Sequence, residues 1–434
     1  MERRGACAAA LGLALALALS ACAGDPARQP GGRFTFENGI GRAADGPFMA
    51  QFGTVTGGYS RANSSNWWGA ANTVDSFSRL DEIFSASISR RGDAAMPLRR
   101  AASEPSIAYD RPTHIGGGHY SLERYLAANP ATGLMIVRDG EILVERYQYD
   151  RGPAHRLTSF SMAKTLIALT MGVAVAEGHI RSIEDKAETY APSLAGTEYG
   201  RTPIRHLLTM SSGVAFREDY TGDDDVAKLS RASYGGGTPG GVAVVRQFDS
   251  RHAEPGQRWH YASSETFVLA MVLKQAVGRP VADYFAEKIW RPIGAEADAT
   301  WMVDRSGQEV GYMGFQAVLR DYARLGVMLA NGGRVGDRQI IPAAWLAETT
   351  RAHFSAQQVG RGYGYGFQTW IFPANDGSYA LLGVRGQTLF VDPARRLVMV
   401  HTAVRPSARD PGGAETVALW LSIKGQYARI ARAN

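Results

Sequence analysis

The order of segments along this chain predicts an α+β fold. An antiparallel sheet is assembled from both chain halves and flanked by helices, with a mainly helical lobe inserted between the halves. Three observations carry that prediction. Short β-type apolar segments cluster at residues 134–147 and return at 366–403. The stretch between them reads as helices joined by short loops. Regular strand–helix alternation is missing, which argues against a parallel doubly wound sheet.

Each element has a local reason. Leu134 to Val137, Asp139-Gly140 and Ile142 to Tyr147 form two short strands around a hairpin turn. Ser161 to Glu177 is apolar almost all round and reads as a buried helix. Gly178 supplies its stop. Helical segments open at Ile183-Glu184-Asp185 and at Pro203-Ile204-Arg205-His206-Leu207-Leu208. Glycines 235–237, 240 and 241 make a loop; no Gly-Lys-Ser or Gly-Lys-Thr follows, which argues against a phosphate loop. Ser263-Ser264-Glu265-Thr266 leads into the apolar run Phe267 to Leu273, a second buried helix opened by cap-type residues. Residues 320–330 form another helix, ended by Asn331-Gly332-Gly333. Strands follow at Gly366 to Phe372, Tyr379 to Val384, Gln387 to Val391 and Leu397 to Ala403, and an amphipathic helix over 414–431 closes the chain.

The front is of another kind. Glu2-Arg3-Arg4, an Ala/Leu-rich stretch and Leu19-Ser20-Ala21-Cys22 describe a secretory signal peptide over residues 1–21, too short to span a bilayer. A cysteine directly after Leu-Ser-Ala resembles a bacterial lipobox. The resemblance implies cleavage before Cys22, lipidation of its thiol and a membrane held through that lipid. Ala23 after the cysteine leans toward the periplasmic face of the outer membrane. The expected address is therefore the bacterial cell envelope. Cys7 lies inside the signal, so Cys22 has no disulfide partner in the mature chain. Residues 22–105 hold too many aromatics for a free linker and read as an arm packed on the body, with room for a short strand pair. The remaining domain, 106–434, carries the helical lobe over about 166–295. Net charge is +6, from 47 basic and 41 acidic residues, with no Lys/Arg block. That excludes a nucleic-acid partner.

The chemistry concentrates at Ser161-Met162-Ala163-Lys164. Ser-x-x-Lys at a helix start places a hydroxyl and an amine one turn apart on one face. The helix start adds free N–H groups and partial positive charge. A lysine in the first turn of a buried helix is costly without a function; the competing reading is a lysine snorkelling out of the core. Serine acyl transfer leads. Asp223-Asp224-Asp225 reads as a solvated loop rather than a cation site. His206 reads as a half-buried helical residue and His260 as pointing away from its neighbour Tyr261. No metal or cofactor is called for.

Three further segments extend the motif. They are Ile204-Arg205-His206-Leu207-Leu208-Thr209-Met210-Ser211-Ser212-Gly213, Pro255-Gly256-Gln257-Arg258-Trp259-His260-Tyr261-Ala262-Ser263, and Gly386-Gln387-Thr388-Leu389-Phe390-Val391-Asp392-Pro393. Together, from about residue 125 to the C-terminus, they resemble the serine β-lactamase-like hydrolases of the class C and penicillin-binding group, and most of all the 6-aminohexanoate-dimer hydrolases and related esterases. The resemblance implies a β-lactamase/transpeptidase-like fold. It implies Ser161 as nucleophile, Lys164 as its partner and Tyr261 as proton shuttle. It puts an oxyanion site at the amides of Ser161 and Val384, and substrate contacts at Tyr220, Ser263 and Trp370. The family's third-motif lysine, which holds the substrate carboxylate in β-lactamases and carboxypeptidases, is absent from Leu381-Leu382-Gly383. Arg385 stands nearby as a candidate replacement, at a position that strand alternation does not fix. The expected activity is cleavage of a small-molecule ester or amide. The alternatives are a D,D-peptidase or weak β-lactamase, and a non-catalytic binding lipoprotein.

Overall fold

The computed structural model describes residues 34–55, 58–234, 240–374 and 376–428. The signal segment, Cys22 and most of the glycine-rich loop lie outside the described residues.

In chain order the elements that build the site are strands β1 (Thr35–Glu37) and β2 (Ile40–Arg42), β3 (Ala86–Ser89), the hairpin β4 (Ala131–Arg138) and β5 (Glu141–Tyr147), and β6 (Arg156–Thr158). Helix α1 (Met162–Ala176), the shorter α2 (Asp225–Ser233) and α3 (Ser263–Val277) follow. Then come β7 (Ala299–Met302), β8 (Phe315–Val318), α4 (Leu319–Ala330), β9 (Gly364–Tyr365), β10 (Trp370–Ile371), β11 (Tyr379–Gly383), β12 (Gln387–Asp392), β13 (Leu397–Ala403) and α5 (Gly412–Gly425).

The large sheet runs β1-β2-β5-β4-β13-β12-β11-β10-β9. Its seam is β4 against β13, with Met135 opposite Val400, so the two chain halves meet in the middle. Only the β2–β5 pair along this path is parallel. Asp139 and Gly140 both take positive φ (50° and 78°), the backbone that a two-residue hairpin turn with matching twist requires. A second sheet, β6-β8-β7-β3, lies beside the first.

The segment from 22 to 105 is not a loose tether where it is described. β1 and β2 extend the edge of the large sheet and β3 extends the second. Between them, Trp67 and Trp68 pack edge-on against Phe84, Phe160 and Tyr234. Trp67 is half-buried and Trp68 is 40% exposed, so their edge contacts add to the strand pairings that dock the segment.

Helices α1 and α3 form the apolar heart of the molecule. Every residue from Met162 to Ala174 is buried, as is every residue from Ser263 to Leu273. Three expectations need correction. The stretch Gly366 to Phe372 is not one strand. β9 and β10 are separate and joined by a tight turn in which Gln368 has φ 52°. Tertiary bonds fix that turn: the Gln368 amide donates to Leu208, its side chain donates to Leu207 and accepts from Thr266, and its carbonyl accepts from Thr165. No local alternation encodes those partners. The closing helix spans Gly412–Gly425 rather than 414–431. The segment at Ile183 supplies only a short 3-10 turn, Ala187–Thr189.

Candidate active site

Ser161 stands at the tip of α1 as its N-cap residue, yet its side chain accepts no capping hydrogen bond. The residue before it, Phe160, is buried and held at φ 40°. A left-handed aromatic residue costs on the order of 1–3 kcal/mol. Phe77 and Trp68 hold it there with ring centres 4.9 and 5.6 Å away. The kink feeds the chain from β6 into α1.

One turn on, Lys164 is 1% exposed. Its Nζ donates to Ser161 Oγ at 3.0 Å and to the Tyr312 carbonyl at 2.8 Å. The rings of Tyr261 and Tyr312 lie over it at 5.1 and 5.5 Å. Burial pulls its pKa down to about 8, against the opposing pull of the Glu218 charge. The amine is thus close to neutral at mild alkaline pH. Tyr261 is buried as well. Burial first, then the Glu218 charge, push its phenol upward; a hydrogen bond with Ser161 and the Arg361 charge pull it back. Serine and lysine therefore share a hydrogen bond, with the tyrosine ring packed over the amine.

The end of β11 passes directly behind that point. A Cβ on Gly383 would sit 2.4 Å from the Ser159 carbonyl, so only glycine lets the two backbones approach this closely. Among the described residues no backbone carbonyl accepts from the Ser161 or the Val384 amide. Two free N–H groups beside a nucleophile-type hydroxyl are what a developing oxyanion needs.

The expected substrate contacts fall in different places. Trp370 stacks on Tyr261 with ring centres 5.6 Å apart and closes one wall with Trp259 and Tyr365. Tyr220, at φ 65°, gives its hydroxyl to Glu218 at 2.9 Å and its amide to Asp224. Ser263 is 2% exposed, and its hydroxyl and amide both go to Glu218, at 2.9 and 2.7 Å. Its polar groups are thus engaged within the protein. Asp224 caps α2 through the Ala227 amide. The His260 ring bonds the Phe216 carbonyl.

Sequence reasoning missed Glu218, which sits in the charged run Arg217-Glu218-Asp219 and resembles a solvated loop residue. It also missed Tyr312, which meets Lys164 through a carbonyl and so leaves no side-chain signal. Among the described residues no cluster of His, Cys, Asp or Glu could hold a metal ion, and no helix is long and apolar enough to cross a membrane.

With this geometry in view, the comparison with known proteins is decisive for kinship. The beta-lactamase family model matches residues 121–419. The chain belongs to the beta-lactamase family. It is 26% identical to the 6-aminohexanoate-dimer hydrolase of Paenarthrobacter ureafaciens over 353 residues, covering 79% of this chain and 88% of that one. Among solved structures it resembles a Bacillus anthracis protein provisionally described as a 6-aminohexanoate-dimer hydrolase (TM-score 0.76, 24% identity, 84% and 96% of the two chains). It also resembles a family VIII carboxylesterase (TM-score 0.54, 20% identity, 69% and 93%). The beta-lactamase match begins at residue 121, beyond Trp67 and Trp68.

Proposed function

We propose that this protein is a serine hydrolase that cleaves an ester or small amide through an acyl-enzyme on Ser161. The observation that carries the proposal is the buried Lys164 amine, 3.0 Å from Ser161 Oγ and 5.1 Å from the centre of the Tyr261 ring. The neutral amine, assisted by the phenol, takes the Ser161 proton as Oγ attacks the carbonyl carbon. The oxyanion is received by the Ser161 and Val384 amides, each contributing on the order of 3 kcal/mol. Tyr261 passes the proton to the leaving alcohol or amine. Water then opens the acyl-enzyme by the same groups in reverse. The named activities of the hydrolase and carboxylesterase relatives favour this chemistry. Leu381, buried, and Leu382, half-buried, offer no cation at the third motif, which favours a simple ester or amide over a β-lactam.

A hydrolysis screen over p-nitrophenyl esters of graded chain length, linear amides and β-lactams tests it. Ester or amide turnover lost in Ser161→Ala is expected. Turnover that survives in Ser161→Ala, or inertness toward the whole set, contradicts it; acylation confined to a fluorescent penicillin would shift the reading to a D,D-peptidase. The proposal also puts the protein in the cell envelope, held by lipid on Cys22. Radiolabelled palmitate should enter the wild type and not Cys22→Ala.

A further inference from the structure

Strands β11 and β12 close on the pair Gly383 and Gln387, and Val384–Gly386 between them make the turn that carries the Val384 amide. Arg385 stands in that turn at φ 60° and ψ 24°. A non-glycine backbone of that kind persists only where its surroundings over-determine it. Here each carbonyl of the turn is tied from behind, by groups on or beside β13. Gln387, 1% exposed, does most of this. Its side-chain amide pairs with Ala403 as a peptide group would: Oε1 accepts from the Ala403 amide at 3.2 Å and Nε2 donates to the Ala403 carbonyl at 2.7 Å. Backbone pairing of β12 with β13 ends at Thr388 opposite His401, so this side chain carries the pairing past its last rung. The same Nε2 reaches the Arg385 and Val384 carbonyls at 3.2 and 3.4 Å. The Arg405 amide adds a second bond to the Arg385 carbonyl at 3.3 Å.

The Gly386 carbonyl is held by His401, which is fully buried and places Nδ1 2.8 Å away. A carbonyl only accepts, so Nδ1 carries the proton. Burial, then the Arg405 charge, pull the His401 pKa down to about 3 against the bond to Gly386, so the ring is neutral at neutral pH and Nε2 accepts. Its donor is the Tyr125 hydroxyl at 3.1 Å, which meets Thr416 Oγ1 at 2.6 Å; Arg405 Nη2 donates to that oxygen at 2.5 Å. Every proton in the chain thus has one direction, from Arg405 through Thr416, Tyr125 and His401 to Gly386.

We propose that Gln387 and His401 are positioning residues for the reaction: from behind the cleft they lock the Val384–Gly386 turn and so aim the Val384 amide at the oxyanion. This rests on the Ser161 hydrolase reading with Val384 as second donor. Both side chains act through the turn, not on the substrate. A preorganised donor stabilises the transition state more than the bound substrate, so loosening it falls on kcat rather than KM.

The test is steady-state hydrolysis of p-nitrophenyl butyrate, with kcat counted per Ser161 that a fluorophosphonate labels to completion, so that misfolded protein does not enter. Gln387→Met should lower kcat by about 10–100-fold, part of the roughly 10²–10³ that a whole oxyanion donor supplies, with KM within about twofold. His401→Leu should lose about tenfold, and His401→Asn, which keeps an N–H where Nδ1 stands, should recover most of it. The inhibition constant of an arylboronate, whose tetrahedral adduct puts an oxygen where the oxyanion forms, should rise in step with the fall in kcat. Ser89→Ala breaks a buried bond to the Ala282 carbonyl in the second sheet. It should lower the urea midpoint and leave kcat and boronate affinity alone. Where Gln387→Met does not label, Gln387→Asn, which draws the amide back by one methylene, carries the test with the same expected fall. Ser161-dependent turnover with kcat per site and boronate affinity unmoved in the Gln387 and His401 variants, or an equal loss in His401→Asn and His401→Leu, overturns this inference alone. A wild type inert toward esters and amides, or turnover that survives Ser161→Ala, overturns it together with the hydrolase reading.

Discussion

Helices α1 and α3 are the same length, are buried through their first turns, and each opens on serines followed by a titratable residue, yet only one tip is reactive in form. At α3 the Glu218 carboxylate closes the N-terminus, taking the Ser263 amide and hydroxyl. This is the favourable match of an anion to the positive end of a helix. Its first-turn acid, Glu265, is pushed by burial well above the usual carboxylate range, against the pull of its Ser212 hydrogen bonds and of the Arg251 charge. Its Oε1 accepts from the Ser212 amide and hydroxyl. At α1 no carboxylate arrives. The first-turn titratable residue is a lysine, whose positive charge is disfavoured both by burial and by the helix end. In both helices burial disfavours the charged form of a first-turn group. In α3 that group is turned inward onto Ser212; in α1 it meets the Ser161 hydroxyl.

The sharpest way to break that contrast is to remove the two serines in parallel. Ser161→Ala should cost on the order of 10⁴-fold or more in kcat and abolish covalent labelling. Ser263→Ala should keep labelling and lose about 1–2 kcal/mol of stability with the bond to Glu218. Comparable losses of activity in both would erase the distinction. Next in size, Lys164→Met and Tyr261→Phe should each cost about 10²–10⁴-fold in kcat, measured by steady-state hydrolysis of one ester.

Glu218→Gln sharpens the comparison through pH. Activity requires neutral Lys164, so kcat/KM should rise with pH through about 8 in the wild type. The Glu218 charge favours the ammonium form. Its removal makes Lys164 easier to deprotonate, and the acid limb should move to lower pH. A limb that stays or moves upward contradicts the assignment of Lys164 as base. The smallest effect belongs to Glu265→Gln. A carboxyl and an amide are near-isosteric, so urea unfolding should show a change within about 1 kcal/mol, whereas Glu265→Ala should cost about 1–3 kcal/mol by stranding Ser212.

Much of this architecture is legible in the sequence because apolar periodicity and turn chemistry act locally. The Asp139-Gly140 hairpin, the two buried helices and the late strands are all of that kind. Ser161 and Lys164 were legible in the Ser-x-x-Lys spacing and Tyr261 through the family resemblance, and the fold brings the three together. The remainder was written in long-range contacts. The turn at Gln368 is held by Thr165, Leu207, Leu208 and Thr266, none of them a sequence neighbour. Glu218 hides in a surface-like charge run and is revealed only by its partners. Trp68 reaches Phe160 and Arg385 from far upstream, where glycine-rich composition gives no periodic signal.

The central claim is that the uncapped α1 tip carries a nucleophile activated by a neutral lysine. Intact-mass and peptide-level detection of a fluorophosphonate adduct across a pH series measures it directly. A single adduct on Ser161, forming faster as pH rises through about 8 and absent in Lys164→Met on the same timescale, is the predicted result. An adduct on another residue, or a rate on Ser161 indifferent to pH and to Lys164, would contradict it.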